Sequence, residues 1–138
     1  MPAPIRVLLS KPTHDVHDRG VRYLIGQLRD AGFEVIFTNF LLPEEVVSTA
    51  IQEDVQVVGI SSSTGGHMPV FEDIANGLKA EALDDVMLIG GGIIPHEDQE
   101  ILKETMGVKA IMGPGSTAQE TIDLINNWVG EQRNAAHA

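Results

Sequence analysis

The sequence predicts an α/β domain built as a doubly wound, five-stranded parallel sheet. Three observations predict it. Five short β-branched runs alternate strictly with five longer amphipathic stretches, the pattern of a parallel sheet covered by helices. Several runs are apolar at consecutive positions, as strands buried on both faces must be. Most runs break off into loops rich in glycine, small hydroxyls or charge, at the sheet edge where such folds bind ligands.

Each element has its own justification. The strands are "IRVLLS" (5–10), "FEVIFT" (33–38), "VQVVGIS" (55–61), "VMLIGG" (86–91) and "VKAIMG" (108–113). The first helix, 18–31, carries Val21, Leu24, Ile25 and Leu28 at helical spacing, with Gly32 as its stop signal. The second, 43–53, opens on Pro43, Glu44 and Glu45, residues suited to a helix N-terminus. The third and fourth cover 69–81 and 95–106. The fifth, 117–129, opens with Thr117 and Glu120 at capping-box spacing. Right-handed crossovers place helices on both faces of the sheet. The expected strand order is flavodoxin-like, within the Rossmann-like class.

The 138 residues form one expected domain, 1–138, with an ordered core of about 4–129. The tail "GEQRNAAHA" (130–138) has no periodicity and is expected to fray. At 43% apolar residues the core needs no staples, and the absence of cysteine excludes disulfides, thiolate metal sites and cysteine nucleophiles. No basic segment followed by an apolar one opens the chain, and no apolar run reaches membrane-spanning length. A soluble, cytoplasmic protein is therefore expected. The formal net charge of −11 repels polyanions, so no nucleic-acid partner is expected.

The chemistry falls in the strand-end loops "SKPTHDVHDRG", "SSSTGGH", "GGGIIP" and "MGPGST". Glycines and small hydroxyl residues let a backbone approach a ligand closely and donate N–H groups to it. Together these loops point to a large or extended ligand. Familiar alternatives fail. There is no G-x-x-x-x-G-K-[ST] phosphate loop and no G-x-G-x-x-G turn after the first strand. A receiver domain would want acidic residues after the first and third strands and a lysine after the fifth. The third loop offers serines, and the fifth offers no lysine.

The first loop is the densest. Asp15 and His17 are two residues apart and project to the same side of an extended segment. A carboxylate accepting one ring N–H fixes the tautomer and frees the other nitrogen for a metal. Lys11, four residues before Asp15, would hold that carboxylate ionised, and Gly20 leaves room beside the helix start. Read alone, the same residues also suit a solvated loop, with His14 and Asp18 facing water.

Taken together, "DVHDRG", "GISSSTGGH", "GGGIIP" and "GPGST" resemble, in order and spacing, the cobalamin (vitamin B12)-binding domain. The likeness covers roughly residues 4–129. It is nearest to the small subunit or C-terminal domain of coenzyme-B12-dependent acyl-CoA mutases, of the methylmalonyl-CoA and 2-hydroxyisobutyryl-CoA type. Glutamate-mutase-type small subunits are a more distant likeness. The resemblance implies that His17 displaces the coenzyme's dimethylbenzimidazole and binds cobalt from below. Asp15 would accept the other ring N–H of His17, with Lys11 behind it. Lys11, Asp15 and His17 are thus the expected catalytic group. Asp18, Arg19, Gly20, Ser61, Ser63, Gly91, Gly92, Gly113, Gly115 and Ser116 would surround the cofactor and its displaced nucleotide tail. Ser63 stands where the mutases usually carry leucine, and Met112 where they usually carry an aromatic.

The same resemblance implies adenosylcobalamin as cofactor and radical isomerisation as the reaction. A TIM barrel that binds the acyl-CoA needs well over about 200 residues, so it would lie in a large partner subunit, in a heterotetramer. The competing class is a corrinoid carrier protein of a methyltransferase system. Those modules usually carry a helical domain ahead of the cobalamin fold, and here the first strand starts near residue 5.

Overall fold

The structure is a computed structural model that describes residues 4–12, 19–62, 67–83, 85–92, 94–113 and 116–136. Strands and helices alternate throughout: β1 (Arg6–Pro12), α1 (Arg19–Asp30), β2 (Glu34–Phe40), α2 (Pro43–Glu53), β3 (Val57–Ser62), α3 (His67–Ala80), β4 (Met87–Gly92), α4 (His96–Thr105), β5 (Ala110–Met112) and α5 (Ala118–Ala136). All pairings are parallel, in the order β2-β1-β3-β4-β5. This is the flavodoxin-like order expected from the sequence.

The consecutive apolar residues of the central strands have a direct cause. Successive side chains of a strand point to opposite faces. Val7 and Val57 are paired across β1 and β3 and join a core with Ile25 and Leu28 of α1 and Ile122, Ile125 and Val129 of α5. Their neighbours Leu8 and Val58, also paired, join the opposite core with Val46 and Val47 of α2, Phe71 and Ile74 of α3 and Leu102 of α4. Two helices therefore cover one face and three cover the other.

The predicted punctuation works as chemistry. Gly32 adopts a φ of 95°, and the Phe33 N–H turns back to the Leu28 carbonyl at 3.1 Å, closing α1. Pro43 lies in the first turn of α2, where its missing N–H costs nothing. The Glu45 carboxylate accepts the Leu42 N–H at 3.2 Å. At α5, the Thr117 hydroxyl accepts the Glu120 N–H at 3.1 Å, one half of the expected capping box.

At the amino end of the sheet, Arg6 ties three segments together. Its Nε donates to the Glu53 carbonyl at 2.6 Å and its Nη2 to the Glu53 carboxylate at 2.8 Å. Its Nη1 pairs with the Glu34 carboxylate. The Gln56 side chain accepts the Arg6 backbone N–H at 2.8 Å.

Most boundaries differ from the sequence reading by a residue or two, and four of the differences matter. β1 continues to Pro12, because Lys11 and Pro12 still pair with Asn39 and Phe40 of β2. Lys11 is therefore a strand residue, not the start of the loop. β5 shrinks to three residues, Ala110–Met112, paired with β4. α3 starts at His67, two residues early. The final helix does not stop at 129 but continues through Gly130 to Ala136. The helical cost of one glycine, about 1 kcal/mol, is offset by the good formers around it, and Gln132 and Arg133 are half-buried. Among the described residues, no helix is long and apolar enough to cross a membrane.

Gly90 marks how tightly β4 packs. A Cβ there would stand 2.9 Å from Cζ of the fully buried Phe71. Gly90→Ala is expected to lower the unfolding free energy by about 1–3 kcal/mol through overpacking. Denaturant titration checks this, and an unchanged midpoint would contradict the packing described.

Candidate functional site

On the α1/α5 face, strand register lays out two rows of residues. The lower row runs Leu9, Gly59, Ile89, Ala110 across β1, β3, β4 and β5. Two residues nearer the carboxyl ends, Ser61 pairs with Gly91 and Gly91 with Met112. The helices run back against the strands, so their buried anchors lie low: Ile25 and Leu28 on α1, Ile122, Ile125 and Val129 on α5. Above those anchors the two helices present Gly20, Val21 and Leu24, and Thr117, Ala118 and Thr121. These side chains are too small or too few to close over the upper row. The result is a cleft of about 610 Å³, within the ordinary range of ligand pockets.

Three glycines of this cleft have no structural need to be glycine. A Cβ on Gly20 would meet nothing within 4 Å. On Gly91 it would lie 3.5 Å from the Met112 carbonyl oxygen, and on Gly113 3.5 Å from that of Gly92, ordinary contact distances. None of the three has a positive φ. Gly92 differs, with a φ of 106° that L side chains rarely adopt. Gly59 differs too, because a Cβ there would come within 2.6 Å of Leu9 Cδ2. What glycine gives at 20, 91 and 113 is open space in the cleft.

Among the described residues, the polar side chains of the cleft are neutral hydroxyls and one guanidinium. Ser61 is half-buried at the end of β3, and Thr121 is buried on α5. The Ser116 hydroxyl accepts the Gly113 N–H at 3.1 Å, while its backbone N–H donates to the Gly113 carbonyl at 3.0 Å. These two bonds close the turn and leave the Ser116 O–H as a donor. Arg19 stands exposed at the mouth.

Of the residues singled out from the sequence, the cleft brings together Arg19, Gly20, Ser61, Gly91, Gly92, Gly113 and Ser116. Lys11 is buried in β1, 7% exposed, just past the last β1–β3 pair, Ser10 with Ile60. Asp15, His17, Asp18, Ser63 and Gly115 lie outside the described residues. Among the described residues, no three His, Cys, Asp or Glu side chains gather to hold a metal ion. The sequence reading missed Gly59, Tyr23, Leu24 and Thr121. A glycine inside an apolar strand was a readable signal for Gly59. For the helix residues there was none.

The sequence matches the B12 binding domain family over residues 5–123. The chain belongs to that family. This B12-binding domain is 42% identical over 127 residues to the 2-hydroxyisobutanoyl-CoA mutase small subunit of Aquincola tertiaricarbonis, covering 91% of this chain and 93% of that one. It is 41% identical over 125 residues to the methylmalonyl-CoA mutase of Cereibacter sphaeroides, covering 87% of this chain but 18% of that one. Among solved structures, a cobalamin-binding protein from Desulfitobacterium hafniense DCB-2 superposes with a TM-score of 0.75 at 20% identity, over 91% of this chain and 59% of that one. That last likeness shows the fold.

Gly91→Val separates stability from binding. The new side chain enters the cleft without a short contact at its Cβ, and valine suits a strand better than glycine. The variant is expected to unfold no more easily than the parent and to lose cobalamin uptake in equilibrium dialysis. Undiminished uptake would mean that this cleft is not the site.

Proposed function

We propose that the chain is the cobalamin-binding small subunit of an adenosylcobalamin-dependent acyl-CoA mutase. The observation that carries this reading is the 42% identity to a mutase small subunit across nine-tenths of both chains. The cleft supports it. Its open glycines and neutral hydroxyls fit an extended ligand that is mostly amide, sugar and heterocycle, and Arg19 at its mouth suits a phosphodiester.

In this reading His17 would hold the cobalt, in place of the coenzyme's own base. Asp15 accepts the second ring N–H of His17, which fixes the tautomer and raises the basicity of the ligating nitrogen. Lys11, fixed in β1 four residues before Asp15, keeps that carboxylate charged. The hydroxyls of Ser61, Ser63 and Ser116 donate to polar atoms of the nucleotide tail. Gly91, Gly92, Gly113 and Gly115 let the backbone approach it, and Asp18, Arg19 and Gly20 border its entry beside α1. Adenosylcobalamin, when bound, supplies a weak cobalt–carbon bond whose homolysis starts a radical 1,2-rearrangement. The chain's own work is to bind and orient the cofactor. The acyl-CoA is held by a large TIM-barrel subunit, in a heterotetramer with this one, and the residues that choose the acyl group lie in that partner.

Electron paramagnetic resonance of the reduced, cobalt(II) holoprotein tests the ligation. A nitrogen splitting that disappears in His17→Ala is expected. Asp15→Asn is expected to weaken cobalamin binding about 10- to 100-fold. A spectrum that His17→Ala leaves unchanged would overturn the assignment. Co-purification from the native host tests the partner: an acyl-CoA mutase large subunit is expected, and a corrinoid methyltransferase in its place would overturn the mutase reading.

A further inference from the structure

Tyr23 stands apart on the cleft wall. It is the sequence's single tyrosine and, among the described residues, the one aromatic side chain lining the cleft. Yet it is 65% exposed. The buried stripe of α1 belongs to Ile25 and Leu28, so the core does not grip this ring. Its own helix leaves room beside it at two positions. Residues three and four apart on a helix are surface neighbours; those four away from Tyr23 are Arg19 and Gln27, and those three away are Gly20 and Gly26. A Cβ at either would find nothing within 4 Å. The ring therefore has open space at the two glycine positions, and lines a cleft walled by Leu9, Leu24, Ile89 and Met112.

A phenol with one apolar face and a polar tip is suited to cover a ligand while keeping its hydroxyl in water. The aliphatic walls below offer no π surface of their own. A planar heterocycle entering the cleft would rest on those walls and leave one face exposed beneath Tyr23.

We propose that Tyr23 is a specificity-determining residue that closes over the aromatic base of the bound corrinoid's nucleotide tail and makes binding depend on that base. The proposal rests on the cobalamin reading above and adds to it a chemical preference set by α1.

The test compares two ligands in equilibrium dialysis: cobalamin, and cobinamide, the same corrinoid without its nucleotide. Tyr23→Ala is expected to weaken cobalamin binding about tenfold, the scale of one aromatic–base stack, and to leave cobinamide binding unchanged. Tyr23→Phe keeps the ring and is expected to retain the parent's affinity for both. Thermal unfolding of the ligand-free variants, expected to match the parent, confirms that the comparison reads binding. Parent-like cobalamin binding by Tyr23→Ala would overturn the proposal. So would an equal loss for both ligands, or a Tyr23→Phe variant as weak as Tyr23→Ala. Should the unaltered protein bind neither corrinoid, the cobalamin reading itself falls, and the role of Tyr23 falls with it.

Discussion

The site depends on where two helices are anchored. Leu28 of α1 and Ile125 of α5 are fully buried in one cluster with the lower halves of the central strands. Once those anchors are set low, the first turns of both helices stand over the carboxyl end of the sheet. They carry Gly20 on one side and Thr117, Ala118 and Thr121 on the other. A larger residue at any of these places would take up part of that space. On the opposite face, covered by three helices, Phe71 of α3 reaches so close to β4 that a Cβ on Gly90 would stand 2.9 Å from its ring. The cleft thus lies on the face that two helices cover.

Register then turns that gap into a chemical surface. Parallel pairing aligns Ser61, Gly91 and Met112 in one row, directly above Gly59, Ile89 and Ala110. Shifting any strand by one residue would exchange faces, turning the Ile60 side chain away from the α2/α3 core and sending that of Ser61 into it. Because both faces are buried, such a shift would also break two cores at once. The polar row is held in place by the same forces that hold the fold, and hydrophobic packing thereby fixes where a ligand meets hydroxyls.

Much of this was legible in the chain. The alternation of apolar runs and amphipathic stretches reports the layer architecture, because burial on both faces leaves a contiguous apolar signature. Gly32, Pro43 and Thr117 are readable because their effects are local: a positive φ, a missing N–H, a hydroxyl three residues from an N–H. The glycines and serines of the site are readable for a related reason, since they gather at the carboxyl ends of apolar runs. Tyr23 and Thr121 were not. Each belongs to a helix whose role depends on its rotation against a sheet assembled from five other segments, and no local pattern encodes that. Lys11 shows the same limit: its inclusion in β1 follows from pairing with Asn39, twenty-eight residues away. The extension of α5 to Ala136 reflects docking that half-buries Gln132 and Arg133, which periodicity alone does not reveal.

The charged knot at Arg6 lies at the amino end of β1, and the cleft opens at the other. The two share no side-chain partners among the described contacts, and energetic effects at separate, unconnected positions combine nearly additively. Evolution is then free to work on them independently. Substitutions around Glu34 and Glu53 adjust heat tolerance without disturbing recognition, while drift in the strand-end segments retunes ligand preference against an unaltered foundation.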